Sequence, residues 1–174
     1  MTLTWTEQVV WIGTGAGLVM FALWLLQMRT KDAGVVDVGW AACLGAAAAF
    51  CAYTGEGDVV RRAIVGVMGA VWGIRLAMHL LFDRVLRGPE DGRYQMMREK
   101  FAGRVNAVFL FFFLAQGVLV VILAAPFIIA SRSGGAGPSA LDIAGCSIWL
   151  AGLVGESIAD HQLARFKRDA TSHG

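Results

Sequence analysis

Two pairs of ionisable residues are spaced so that each pair can act from one face of a helix. Arg75 and His79 are four residues apart in "WGIRLAMHLLFDR", and Glu156 and Asp160 are four apart in "GESIADHQLARFK". Side chains at that spacing are neighbours on a helix surface. Two acids on one face repel each other and gain from a shared cation, which Arg75 could provide. The pairs therefore indicate a polar cavity, where charged groups bind a ligand or one another.

Asp37, in "VVDVGW", is a further ionisable residue beside apolar neighbours. Charged groups inside a membrane span are costly and need a partner or a water-filled cavity. One interpretation is that Asp37 pairs with Arg75 and locks two helices together. That pairing leaves Glu156 and Asp160 unexplained, so a shared cavity accounts for more of the pattern.

The stretch "RGPEDGRYQMMREKFAGR", residues 87–104, is the most polar part of the chain. Its basic residues could simply fix membrane topology and attract anionic lipid. Glu90 and Asp91 are not explained in that way, because acids repel anionic lipid. Arg93 beside Tyr94 offers a planar guanidinium suited to phosphate or carboxylate. Both interpretations, a topology signal and a binding segment, stay open from these residues alone.

The composition identifies the elements that must hold these groups. Hydrophobic residues make up 57% of the 174 residues and charged residues 16%, whereas soluble domains carry about 25% charged residues. Runs of about 20 apolar residues are long enough to cross a bilayer as helices. Five runs qualify, at residues 8–28, 33–53, 60–82, 105–130 and 139–161. We expect one all-α transmembrane domain over residues 1–174, a polytopic integral membrane bundle of about five transmembrane helices.

Charge placement predicts the orientation of this bundle. Eleven of the fifteen Lys and Arg residues fall on one side of the predicted spans. The positive-inside rule then puts the C-terminus in the cytoplasm and the N-terminus outside. The expected surroundings are the lipid bilayer, with no nucleic-acid partner. No metal site is expected, because Cys43, Cys51 and Cys146 lack metal-ligand spacing. "GTGAG" lies within an apolar run, which excludes a dinucleotide-binding turn of the strand–helix type.

The motifs "VDVGW", "WGIRLAMHLLFDRVLRGPEDGRYQMMREKF" and "GESIADHQLARFK" together resemble the DUF1295 family of bacterial membrane proteins. That family is placed in the steroid 5-alpha-reductase-like superfamily. The similarity runs from about residue 33 to the C-terminus. It includes Asp-x-x-Trp, Glu-Asp-x-Arg-Tyr and Glu-x-x-x-Asp-x-Gln in the same order. The family continues with a further segment after "FKRDATSHG", so the chain is expected to be a C-terminally truncated, five-helix portion of that fold.

The resemblance implies a location in the bacterial inner membrane and an NADPH-dependent reduction of a carbon–carbon double bond next to a carbonyl. The cofactor would enter from the cytoplasm, and a lipid-like or steroid-like substrate would come from the bilayer. Asp160 and Lys167 match residues that contact the nucleotide, and Glu156 lies where relatives carry a polar residue. Arg75 and Arg84 match two arginines nine apart. Trp72 stands where the reductases carry a catalytic tyrosine.

Hydride transfer of this kind needs a donor to the carbonyl oxygen as negative charge develops, and the cofactor phosphates need cations. The catalytic candidates are Tyr94, Arg75, His79 and Asp37. The cofactor-binding candidates are Glu156, Asp160, Lys167, Arg93, Arg98 and Arg165. Two alternatives stay open. One is an S-adenosylmethionine-dependent methyltransferase of the related isoprenylcysteine branch, and the other is a non-catalytic membrane protein or inactive fragment.

Overall fold

The computed structural model describes residues 2–86, 89–135 and 138–172, with the side chains of the last helix described up to residue 166. The chain divides into two compact units, Met1–Ala136 and Gly137–Gly174, and each is described by itself. The single domain expected from the sequence stays a prediction.

Every element of the described residues is helical, and no strand occurs among them. The helices are α1 (Trp5–Thr30), α2 (Val35–Thr54), α3 (Val59–Leu80), which continues as a π-helical turn (Leu81–Val85), α4 (Gly92–Lys100), α5 (Val105–Ala130) and α6 (Ala140–Ser172). Five of them, all except α4, are long and apolar enough to cross a membrane. The predicted all-α integral membrane fold is confirmed.

Helices α2 and α3 pack backbone to backbone through small residues. A Cβ atom added to Gly73 would lie 2.6 Å from the Cα atom of Gly45, closer than carbon atoms approach. Gly69 similarly faces the Cβ atom of Ala48. Small residues allow this approach in lipid, where contact between backbones replaces the missing hydrophobic driving force. The contact fixes the position of α3, and therefore of the π turn that follows it.

Helices α1, α2 and α5 pack around two apolar clusters in the first unit. One cluster, near the beginning of α1, includes Ile12, Cys51 and Val120. The other includes Met20 and Phe109 and lies toward the end of α1. A left-handed residue, Lys31 (φ 58°), ends α1, and α2 begins four residues later. This short connection brings the end of α1 and the beginning of α2 together.

The second unit contains α6, a helix of 33 residues. Its first turn is capped by Ser139, whose hydroxyl donates to Asp142 Oδ2 at 2.7 Å and accepts from the Asp142 N–H at 3.3 Å. The helix continues past the predicted span at residues 139–161 and includes the polar segment "RFKRDATS" in its last turns.

Candidate functional site

A cluster of charged side chains lies at one end of the first unit, which we call the Asp37 end. There α1 and the π turn end, α2 and α5 begin, and α4 lies across them. Three carboxylates meet three guanidinium groups at this end: Asp37, Glu90 and Asp91 with Arg84, Arg93 and Arg98. The formal charges of these six described side chains cancel, and we refer to the six together as the network.

Asp37 lies at the centre of the network. Its Oδ2 accepts from Arg84 Nη1 at 2.9 Å and from Arg93 Nη2 at 3.3 Å, and its Oδ1 accepts from the Tyr94 hydroxyl at 2.9 Å. These bonds come from Arg84, Arg93 and Tyr94, and the pairing with Arg75 that the sequence suggested stays a prediction. Three donors compensate the cost of holding a partly buried carboxylate in its charged form.

The π turn at the end of α3 brings Arg84 to this carboxylate. In a π turn the hydrogen bonds span five residues, and Leu86 N–H donates to Leu81 O at 3.0 Å. The wider turn changes the angle at which Arg84 leaves the helix axis compared with an α-helical register. Single π turns of this kind often lie at functional sites.

Asp91 caps α4 and holds Arg93 in position. Its Oδ1 accepts from the backbone N–H of Arg93 at 3.0 Å and from Arg93 Nε at 3.1 Å, and its Oδ2 lies 3.6 Å from Arg84 Nη1. The side-chain hydrogen bonds from Arg93 hold the pKa of Asp91 below its usual range, although burial opposes this. The same bonds raise the pKa of Arg93. Both groups therefore stay charged, and Arg93 still has 61% of its side chain exposed.

Tyr94 is the most buried member of the predicted catalytic set, with 2% of its surface exposed. Its ring packs edge-on against Phe109 and Phe112, with centroid distances of 6.2 Å and 5.9 Å. Burial, followed by the negative charge of Asp37, raises the pKa of the phenol. Tyr94 consequently keeps its proton and acts as a hydrogen-bond donor, while Asp37 fixes where that donor points.

Glu90 and Arg98 form a second, more enclosed part of the network. Arg98 Nε and Nη2 donate to the two carboxylate oxygens of Glu90 at 2.7 Å and 2.9 Å. Glu90 Oε1 also accepts from Ala33 N–H at 2.7 Å, and Arg98 Nη2 also donates to Gln27 Oε1 at 3.0 Å. The Arg98 guanidinium lies 4.7 Å from the ring centre of Phe109. Together these contacts fasten α4 to the connection between α1 and α2.

The remaining predicted residues are on α3 and α6. Arg75 and His79 are partly buried on α3, before the π turn. Glu156, Asp160 and Arg165 lie on α6 in the second unit. The side chain of Lys167 lies outside the described residues. The structure thus brings Asp37, Arg93 and Tyr94 into contact and places Arg98 at the same end of the first unit. A contact between α6 residues and this end stays a prediction.

The fold and the site are those of a polytopic helical membrane protein with a charged network at one end of its first unit. The family model of DUF1295, described as a protein of unknown function, matches residues 23–174. The chain therefore belongs to the DUF1295 family. No curated protein and no solved structure matches it.

Proposed function

We propose that this protein is a membrane-embedded NADPH-dependent reductase of a lipid-like or steroid-like substrate, acting on a carbon–carbon double bond next to a carbonyl. The observation that carries this proposal is the Tyr94 hydroxyl, a buried phenol that keeps its proton and is oriented by Asp37. A fixed donor in a water-poor site stabilises negative charge on a carbonyl oxygen as it develops. The sequence resemblance to the steroid reductases supplies the reaction class.

An apolar groove in the same unit supports a lipid-like substrate. It has a volume of about 280 Å³ and lies between α1, α2 and α5, with Trp11, Gly15, Cys43 and Phe50 among its lining residues. Cys43 is six residues beyond Asp37 on α2, a rise of about 9 Å along the helix. An apolar body in the groove could therefore extend toward the polar network.

The residues of the network have separate roles in this proposal. When bound, NADPH would supply the hydride that adds to one carbon of the double bond, and a proton taken up from water would complete the reduction at the other carbon. The Tyr94 phenol has one proton, so donation to a substrate oxygen requires its bond to Asp37 to break. Asp37 tolerates that loss because Arg84 and Arg93 still donate to its Oδ2. His79 is a further candidate donor, and Arg75, also on α3, is another.

The cations of the network differ in how well they fit the phosphates of a nucleotide. Arg93 fits, because most of its guanidinium-bearing side chain is exposed. Arg98 is held by both oxygens of Glu90, so its proposed cofactor role requires that pair to open. Arg165 and Lys167 would supply further cations, with Glu156 and Asp160 as hydrogen-bond acceptors for the nucleotide.

The same proposal includes an orientation in the bacterial inner membrane. Six of the eleven basic residues on the predicted cytoplasmic side lie from Arg84 to Arg104, and three of them, Arg84, Arg93 and Arg98, belong to the Asp37 end. The positive-inside rule then places this end at the cytoplasm, where NADPH is available.

Ligand-induced stabilisation of the purified full chain tests the cofactor. The chain in detergent is heated with 1 mM NADPH and, separately, with 1 mM S-adenosylmethionine. A dissociation constant of about 10 μM would stabilise the fold by about 2.7 kcal/mol. We expect a response to NADPH that weakens in Asp160→Ala and Lys167→Ala. A response to S-adenosylmethionine instead would support the methyltransferase alternative, and no response to either would contradict both enzyme functions.

A non-catalytic role is the second candidate, and the balanced pairing of the network favours it. Three carboxylates and three guanidinium groups satisfy one another in the described residues. Such a network could serve only to fasten α4 to the bundle. Unchanged ligand responses in every network variant, with losses of stability alone, would support this role.

A further inference from the structure

The end of the first unit opposite Asp37, which we call the Gln8 end, contains a second groove. It has a volume of about 490 Å³ and lies between the beginning of α1 and the end of α5. Its lining residues include Trp5, Val9, Ala125, Ile129, Arg132 and Ser133. Volumes of about 300–1,000 Å³ are typical of small-molecule sites. The groove combines an apolar wall with one guanidinium group.

The position of this groove along the bundle matches the boundary between hydrocarbon and water. Trp5 is the first residue of α1, and Arg132 follows the last residue of α5 by two positions. Both helices are candidate membrane spans. Tryptophan side chains favour the headgroup level of a bilayer, and Trp5 is exposed. A ligand here would have its apolar part in the hydrocarbon and its polar part among headgroups.

Arg132 is held in place mainly by neutral acceptors. Its Nη1 donates to Leu3 O at 2.9 Å and to Gln8 Oε1 at 3.4 Å, and Gln8 is fully buried. Its Nη2 lies 3.4 Å from Glu56 Oε2, and the Glu56 side chain is 54% exposed. An ion pair with a largely solvated partner contributes little. The guanidinium is therefore fixed in geometry but only weakly neutralised.

We propose that this groove binds an anionic phospholipid, with its phosphate on Arg132 and an acyl chain along the apolar wall formed by α1 and α5. Arginine presents a planar set of donors that matches phosphate oxygens. A zwitterionic headgroup carries its own cation and neutralises Arg132 less completely. The site therefore prefers phosphatidylglycerol to phosphatidylcholine.

Thermal unfolding of the full chain in detergent, with added lipid, tests this site. Dioleoyl phosphatidylglycerol, dioleoyl phosphatidylcholine and inorganic phosphate are titrated separately. We expect phosphatidylglycerol to raise the unfolding midpoint at lower concentration than phosphatidylcholine, with no effect of phosphate at matched concentration. Arg132→Gln should weaken the apparent affinity for phosphatidylglycerol by about tenfold, the loss expected for one charge-assisted hydrogen bond.

A second variant keeps Arg132 and changes the apolar wall. Ala125 is exposed on α5 and lines the groove, so Ala125→Phe fills the groove without disturbing the core. It should weaken binding of both lipids, whereas Ile122→Phe, at an exposed residue of the same helix outside the groove, should not. If Arg132→Gln does not fold, Ala125→Phe decides the question alone.

Three results would overturn the proposal. The first is equal stabilisation by the two lipids in the unmodified chain. The second is stabilisation by inorganic phosphate that equals that by the lipid, which would indicate a free anion site. The third is phosphatidylglycerol binding that is unchanged in Ala125→Phe.

Discussion

The two ends of the first unit are fastened by different kinds of contact. At the Asp37 end, side chains bind side chains, as in the pairs of Asp37 with Arg84 and of Glu90 with Arg98. At the Gln8 end, most contacts involve backbone groups. Leu3 N–H donates to Thr54 O at 3.0 Å, Gly57 N–H donates to Ser131 O at 2.9 Å, and Arg62 donates to Gly55 O.

The contacts at the Asp37 end depend on which side chains are present, whereas many of those at the Gln8 end depend only on the path of the backbone. Backbone donors and acceptors are the same for almost every residue type, so the backbone bonds at the Gln8 end depend less on side-chain identity, although Gly55 and Gly57 have no room for a Cβ atom there. The Asp37 end requires particular carboxylates, guanidinium groups and a phenol at fixed places. The charged network at the Asp37 end costs desolvation and restricts the sequence, whereas the Gln8 end is closed mainly through backbone groups. The proposed nucleotide site gives the network a role beyond fastening α4.

Tyr94→Ala should cause the largest loss of stability among the tests of this comparison. It removes a ring with 2% exposure and the donor to Asp37 Oδ1. Deleting a buried aromatic side chain costs about 3–5 kcal/mol. Unfolding in detergent with increasing denaturant measures the loss. Tyr53→Ala is the matched control, because the Tyr53 side chain is 77% exposed and its removal should change stability by less than about 0.5 kcal/mol. Equal losses would contradict the burial of Tyr94.

Glu90→Gln should cost about 2 kcal/mol, because it breaks charge-assisted bonds to Arg98. Glu90 accepts at 2.7 Å and 2.9 Å from that guanidinium, and Arg98 also depends on it for orientation toward Gln27. The same denaturant titration measures the effect. A double-mutant cycle with Arg98→Gln isolates the pair. A coupling energy near zero would show that α4 is fastened in another way.

Tyr94→Phe should cost about 1–2 kcal/mol near neutral pH, since it keeps the ring and removes one hydrogen bond to a charged group. Its effect should depend on pH. The pKa of Tyr94 is raised in the folded chain, so this stabilisation is complete below the pKa of an unfolded tyrosine, about 10. This stabilisation is lost as the pH rises toward the pKa of Tyr94 in the folded chain. The free energy of unfolding, measured from pH 7 to 11, should therefore decrease more steeply in the unmodified chain than in Tyr94→Phe. Parallel curves for the two proteins would contradict this.

Glu56→Gln should have the smallest effect, below about 1 kcal/mol, because exposed ion pairs contribute little. Glu56 is 54% exposed and lies 3.4 Å from Arg132. It is the counterpart at the Gln8 end of Glu90→Gln, and the two substitutions are chemically identical. A loss as large as that of Glu90→Gln would remove the distinction between the two ends.

Residue identity also explains which parts could be predicted from the sequence. The five spans are apolar runs long enough to cross a bilayer, so their existence and type follow from composition. Asp37, Arg93 and Tyr94 were expected at one site, because charged and aromatic residues beside apolar runs are conspicuous. At the Gln8 end, the backbone bonds involving Leu3 and Ser131 carry no such signature, and that end was not predicted.

Three features of the site were missed for physical reasons. The π turn cannot be recognised from an α-helical period, so the contact of Arg84 with Asp37 was not predicted. Helix α4 is short and polar, and it was interpreted as part of a connecting segment. Gln27 is a single amide in an apolar run, and nothing local identifies Arg98, 71 residues away, as its partner. The signals available were the Asp91-Gly92 helix start and the polarity of Gln27.

The proposed function requires that the Asp37 end binds NADPH. The most direct test of this binding is the NADPH-induced shift in the unfolding midpoint of the full chain, compared among the unmodified protein, Arg93→Gln and Arg104→Gln. Arg93 is exposed at the network, and Arg104 is an exposed arginine between α4 and α5 that serves as a matched control. The account predicts a shift in the unmodified protein and in Arg104→Gln that is reduced in Arg93→Gln. No shift in the unmodified protein, or an equal shift in all three, would contradict it.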